Sequence, residues 1–342
     1  MKMATIAISA FLALTATAAL ARDWDDDFQA REPAVKQSGH YEWSWDGADS
    51  LALAAPAVMH YTPGGSPRIV ITGPQELLSR VRVGQGRIRF ESGYNWFYSG
   101  SERLQVTVTG VTVHTISVSG SGRAALENLA LDQLNLAVSG SGSVTGEGRG
   151  DRLKLSVSGS GHIDVTKLAS RDAEMSISGS GTIADAGRND HLKLNISGSG
   201  RAELGQLQVR DADVHMSGSG KLVTGGGLEQ ANLSLSGAAR ADLGTLRARQ
   251  VSIDMTGSGT VTAGGSSDSV RLSLSGRGNA DLGGLQTRKA DIRVMGNGRV
   301  TLSPREEADV SVSGSGVVTM ASRPPRLSQS LSGSGRVRIG SD

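Results

Sequence analysis

Two charged series recur through this chain, each at a step of thirty-nine positions. One is acidic (Asp164, Glu203, Asp242, Asp281) and one is basic (Arg171, Arg210, Arg249, Arg288). Rows of carboxylates are the ligand type that hard cations take. If that step makes two turns of a β-coil, however, neighbouring acids stand about 10 Å apart. Ca²⁺ holds its oxygens at about 2.4 Å, so two of these acids cannot share one ion. The arginines have acids three positions on: Arg171 with Glu174, Arg210 with Asp213, Arg288 with Asp291. The two series read as solvated charge ladders that discourage sideways association, with a binding face as the alternative.

The aromatic side chains are the second candidate chemistry. All four Trp, all four Tyr and all four Phe lie at or before Tyr98. Trp43, Trp45, Tyr94, Trp96 and Tyr98 could form a glycan-stacking platform, or the large rings could plug the apolar end of the fold. The six His (His40, His60, His114, His162, His191, His215) fall at unrelated positions, so no metal cluster follows. Cysteine is absent, which excludes disulfides, thiolate metal sites and thiol nucleophiles. No G-x-S-x-G elbow and no Ca²⁺-binding G-G-x-G-x-D nonapeptide occurs. Neither a cofactor nor a metal is implied. The formal net charge of +2 gives no field of the kind that nucleic acid demands.

What must position these residues is a repeat. The stretch Ser117-Val118-Ser119-Gly120-Ser121-Gly122 returns in variants whose first glycines are Gly120, Gly140, Gly159, Gly179, Gly198, Gly218, Gly237, Gly257, Gly276, Gly296, Gly314 and Gly333. The steps alternate between twenty and nineteen positions, with one of eighteen near the end. A period this short marks a solenoid, and the alternation makes the unit a pair of coils, one longer and one shorter. Before each mark apolar and polar residues alternate, as in Leu153, Leu155 and Val157 against Lys154 and Ser156. Period two predicts strands with the apolar face inward. Val144, Ile163, Ile183, Leu222, Val261 and Val300 begin a second inward-facing stretch after the mark. The paired glycines (Gly120 and Gly122, Gly140 and Gly142, Gly159 and Gly161, Gly179 and Gly181, Gly198 and Gly200, Gly218 and Gly220) read as sharp structural turns. Their serines could bond along the stack. A phosphate-cradling loop does not fit, because no helix follows any mark.

Residues 1–21 read as a signal peptide: Lys2, an apolar run from Ala4 to Leu20, and an A-x-A-like end before Arg22. Residues 22–40 are polar and read as a flexible lead. Residues 41–105 read as an aromatic-rich cap of short strands, and 106–342 as the solenoid, continuous with that cap. No later segment approaches the length of a spanning helix. The expected class is all-β, a parallel β-helix of about twelve 19–20-residue coils.

The run Tyr94-Asn95-Trp96-Phe97-Tyr98-Ser99-Gly100-Ser101, then Leu104-Gln105-Val106-Thr107-Val108 and the S-x-S-G-S-G turns, resembles the head GIN domain family. This is a family of unknown function labelled as an auto-transporter adhesin. The resemblance covers residues 45–342. It implies an exported, right-handed parallel β-helix and brings no catalytic residues with it. The chain closes at Gly340-Ser341-Asp342, directly after a repeat, which leaves no stretch for a transmembrane barrel. The expectation is a non-enzymatic adhesin-like or envelope-interaction module, in the periplasm or at the cell surface, with cell-surface glycans or envelope proteins as partners. Two alternatives stand beside it. A polysaccharide lyase or hydrolase would need a carboxylate cluster breaking the repeat, near Ser303-Pro304-Arg305-Glu306-Glu307 or Arg323-Pro324-Pro325-Arg326. An ice-binding lattice would need Thr where the marks carry Ser.

Overall fold

The computed structural model describes residues 28–91, 103–225 and 227–340. The chain opens with β1 (Val35–Gln37) and β2 (His40–Ser44), an antiparallel hairpin. Thus part of the stretch expected as a flexible lead is a strand, and Arg31 is tied in as well, its N–H donating to the Val83 carbonyl at 2.8 Å. There follow β3 (Ser50–Ala54), β4 (Ala57–Thr62), β5 (Arg68–Thr72), α1 (Gln75–Leu78), β6 (Val81–Gly84), β7 (Arg87–Phe90), β8 (Leu104–Thr109), β9 (Thr115–Gly120) and β10 (Arg123–Gly140).

Parallel stacking begins ahead of residue 106. β3 pairs in parallel with β9, and β4 with β10. The antiparallel pairs β2–β5, β5–β8 and β6–β7 surround that first coil. Tyr61 lies at the base of the stack, fully buried and in register with Leu126 of the coil above. Its hydroxyl donates to the Val111 carbonyl at 2.8 Å and accepts the Val113 N–H at 3.2 Å, so the ring fills the end of the core while its polar tip is satisfied.

From β10 onward each coil has three sides. In β10 the first side is 123–126, the second 129–131 and the third 133–139. Hydrogen bonding is nearly continuous through the bends, with a register shift between Leu126 and Leu129. Like residues stack on like: Val138 on Val157, then Ile177, Ile196 and Met216. A fully buried aliphatic side chain of this kind contributes about 1.5–3 kcal/mol. Twelve glycine marks delimit eleven intervals, and the solenoid has about eleven turns.

The glycine corner is required twice over. Gly140 has φ +104°, and a Cβ there would lie 2.8 Å from the Gly120 carbonyl oxygen. Among the described residues the turn-serine hydroxyls make no hydrogen bond along the stack. The bond runs through the amides instead: Ser141 N–H donates to Gly120 O at 2.8 Å, and Ser143 N–H to Gly122 O at 3.0 Å.

Candidate functional site

The strand period turns Leu153, Ala173, Leu192 and Ala212 of the third side inward. Their neighbours therefore face out, and over six successive coils they line an open groove of about 530 Å³. Gln133 and Asn135 stand at one end, Gln230 and Asn232 at the other, with Arg152, Lys154, Asp172, Glu174, His191, Lys193, Asp211 and Asp213 between. Charges alternate from coil to coil and pair across the step. Lys193 Nζ lies 3.7 Å from Glu174 Oε1, and His191 Nδ1 lies 3.3 Å from Asp211 Oδ2. Asp213 has His215 at 3.7 Å. Asn135 Oδ1 and Asp172 Oδ1 have no hydrogen-bond partner among the described residues. A row of alternating donors and acceptors suits a polar, extended partner.

The corner between second and third sides explains the arginine series. Arg171, Arg210, Arg249 and Arg288 come from the longer coils. Stacked between them are Asp151, Asp190, Glu229, Asp268 and Glu306 of the shorter coils. Arg249 Nη2 lies 2.8 Å from Glu229 Oε2. Arg288 Nε lies 2.9 Å from Glu306 Oε1, and its Nη1 lies 3.6 Å from Asp268. Arg210 reaches Asp190 at 3.7 Å and Asp211 at 3.2 Å. Arg171 is stacked by backbone bonds between Asp151 and Asp190. The acids three positions along each coil are not the partners: Glu174 faces Lys193, and Asp291 faces Arg271 and Arg293. A residue one coil away is about 4.8 Å distant, whereas i+3 along a strand is about 10 Å. Hydrogen bonding and nearby acids hold Arg210 and Arg288 above the usual guanidinium range.

The acidic series bends the chain. Asp164 Oδ1 accepts the Thr166 N–H at 3.0 Å, Asp242 Oδ1 the Gly244 N–H at 3.1 Å and Asp281 Oδ1 the Gly283 N–H at 3.3 Å. These are Asx turns at the bend from first to second side. Glu203, too long for that turn, pairs with Arg201 at 3.4 Å.

A family model described as "Putative auto-transporter adhesin, head GIN domain" matches residues 49–225, 182–263 and 225–324. The chain belongs to this family. No curated protein matches it. Solved structures similar to this head GIN domain include a "putative adhesin" from Bacteroides fragilis NCTC 9343, at 16% identity over 90% of this chain and 99% of that one, TM-score 0.35. Another is a "Putative lipid binding protein" from Parabacteroides distasonis ATCC 8503, at 16% identity over 88% and 96%, TM-score 0.30. A "putative adhesin" from Parabacteroides merdae ATCC 43184 matches at 13% identity over 88% and 95%, TM-score 0.30.

In this head GIN domain Trp43 is buried at 3% exposure, edge-on to Tyr41 with ring centroids 5.9 Å apart. Its indole N–H donates to the Arg31 carbonyl at 3.0 Å. That ring is not presented to a sugar. Trp45 is half-buried against the same core. Tyr94, Trp96 and Tyr98 lie outside the described residues.

One polar cluster escaped the sequence reading. Asp185, at 1% exposure, points into the core in register with Val165. Burial pushes its carboxyl up to about 7, against the lowering effect of the Ala186 N–H. Asn189 is buried too, its amide 2.6 Å from Ser170 Oγ. With the amide nitrogen turned to Ser170 it also donates to the Ser170 carbonyl at 3.2 Å. Its oxygen then faces Asp185, an arrangement that suits a protonated carboxyl. The signal was available: Asp185 stands where Leu126, Val165 and Leu204 stand in neighbouring coils. Buried this deeply, it is out of a substrate's reach.

Proposed function

We propose that this head GIN domain is an exported, non-catalytic module of adhesin type, working at the cell envelope. In this reading it lays its third-side groove along an extended, hydroxyl-rich partner such as a cell-surface glycan. The observation that carries the reading is the groove itself. Six coils each offer outward polar side chains at steps of about 4.8 Å, a geometry for many weak equivalent contacts. Family membership supports the adhesin character. Among the described residues no helix is long and apolar enough to cross a membrane. Residues 1–21 would direct export, and Trp45 with the Tyr94–Tyr98 stretch would add a glycan contact at the cap.

The test is binding to a glycan panel and to intact cells by the full chain, beside a Lys154→Ala/Lys193→Ala/Asn232→Ala variant. All three positions face out, so folding should survive, and binding should fall at least tenfold as contacts to charged groups are lost. Equal binding by the variant removes the groove from the function. Protease treatment of intact cells tests location. Digestion places the protein at the surface, while protection until the outer membrane is opened refutes a direct adhesin role there.

A further inference from the structure

The second side differs from the third in its charge. Its outward positions carry Arg149, Lys167, Arg188 and Arg247, and after Glu147 no carboxylate faces out along it until the coil that holds Arg305. That coil is the shortest, running from Gly296 to Gly314, and its register shift beside Thr287 lets Arg305 donate to Gln286 Oε1. Here a shallow cavity of about 440 Å³ opens, lined by Arg247, Arg249, Arg288 and Arg305 with Ser266, Gln286 and Asp268. Four guanidiniums face one lining carboxylate. Arg249 and Arg288 are engaged by Glu229 and Glu306. Arg305 has only the neutral Gln286, and the Arg247 and Arg188 guanidiniums make no hydrogen bond or ion pair among the described residues.

Beside this cavity the floor has been left bare. Gly264 and Gly284 are the outward neighbours of Ser266 and Gln286. Neither has a positive φ, and a Cβ would meet nothing nearer than 3.7 Å at Gly264 or 3.5 Å at Gly284. Neither backbone nor packing asks for glycine there, although glycine weakens a strand. An open floor with cations at its rim is what a flat, negatively charged ring would need.

We propose that the second side is a track for a linear anionic polysaccharide, seated on the Gly264–Gly284 floor with its acidic groups at Arg247 and Arg305. Spacing selects the polymer. Leaving aside Lys167, which stands on the neighbouring outward row with Glu147, the cations Arg149, Arg188, Arg247 and Arg305 are two or three coils apart and recur every 10–14 Å or so. Nucleic acid presents a phosphate every ~3.4 Å along a strand and is held by stacking as well. No aromatic ring follows Tyr98 to supply that stacking. The match is to a chain with an acidic group on alternate sugars. This seat lies on a different side from the groove, so either can fail without the other.

The test is titration of the full chain with hyaluronan, with neutral dextran and with single-stranded DNA at low and high salt. Hyaluronan should bind at low salt and dissociate at high salt, and dextran should not bind. Arg247→Gln/Arg305→Gln should weaken hyaluronan binding at least tenfold. Arg240→Gln, on the first side, should leave it unchanged. Gly264→Glu/Gly284→Glu should keep the fold, checked by circular dichroism, and abolish binding by charge, whereas Gly264→Ala should retain it. The proposal is overturned if hyaluronan binds no better than dextran, if the arginine double variant binds as well as wild type, or if DNA binds more tightly than hyaluronan.

Discussion

The longer and shorter coils build the same three sides from different materials. At the inward positions of the second side the long coils place mainly apolar groups, large ones at the first position: Leu129 and Leu131, Leu207 and Val209, Leu246 and Ala248, with Leu285 beside the buried Thr287. The short coils place Gly148 and Gly150, Gly187 and Asn189, Gly265 and Ser267 at the matching positions. A methyl added at Gly146 would touch Leu168 Cδ1 at 3.4 Å, Val165 Cγ1 at 3.5 Å and Leu129 Cδ1 at 4.0 Å, which come from the long coils above and below. Long-coil leucines therefore lean over the short coil and fill its share of the core. The packing unit is the pair, which is why the sequence repeats with every second coil rather than with each one.

This division makes an asymmetric prediction. Leu168→Ala should empty space on both sides of its coil and lower stability by about 2–5 kcal/mol. Gly146→Ala, in the facing short coil, needs only a few tenths of an ångström of adjustment and should change stability far less. Urea unfolding of the two variants checks this. Comparable losses would mean that the two kinds of coil carry the core equally.

Asp185 sharpens the comparison, being the short-coil position where the polar choice is ionisable. Its carboxyl sits at about 7 in the fold against an ordinary 3.8. A raised carboxyl binds its proton more tightly folded than unfolded. Its contribution is therefore greatest below about pH 4, declines as pH rises toward about 7 and is flat beyond. About three pKa units correspond to an upper bound of roughly 4 kcal/mol. Asp185→Leu, which restores the long-coil residue, should remove this slope, so the wild-type-minus-variant difference should change by a few kcal/mol between pH 4 and pH 7. A difference that stays constant with pH would show that Asp185 does not titrate in that range.

Much of this was legible from residue types. The Gly-Ser-Gly marks gave the period, and the Leu-x-Leu-x-Val alternation gave the strand facing. These features are local, and every coil repeats them. The partner of each arginine was not legible in the same way, because an acid one whole coil away in sequence is nearest only once the coil height is known. Asp164, Asp242 and Asp281 looked like a surface series because the Asx turn commits the carboxylate to a backbone amide two positions on. Trp43 looked available for sugar because its type does not reveal that Ile69 of β5 pairs beside it. Asp185 was missed because a single carboxylate just ahead of Gly187, Asn189 and Asp190 looks like part of a polar bend, although its distance from the glycine mark equals that of the buried Val165.

The corner ladder tests the pair of coils in its weakest bond. Five acids from short coils and four arginines from long coils alternate along one edge, so each arginine has an acid on either side. The arginines, Glu229 and Asp268 are exposed and Asp151, Asp190 and Glu306 half-exposed, so water and salt screen these pairs heavily. Arg249→Gln should therefore lower the thermal midpoint only slightly, and the difference should vanish in about 1 M salt, where screening extends over only about 3 Å. Arg249→Glu should cost more at low salt, since it sets a third acid between Glu229 and Asp268 and turns attraction into repulsion. If the neutral variant destabilises strongly and salt does not restore equality, the ladder clamps the coils together. If only the charge reversal is felt, the ladder's effect is on register: a coil slipped by one step would set acid against acid, so the alternation disfavours mispaired stacks while adding little to the stability of the correct one.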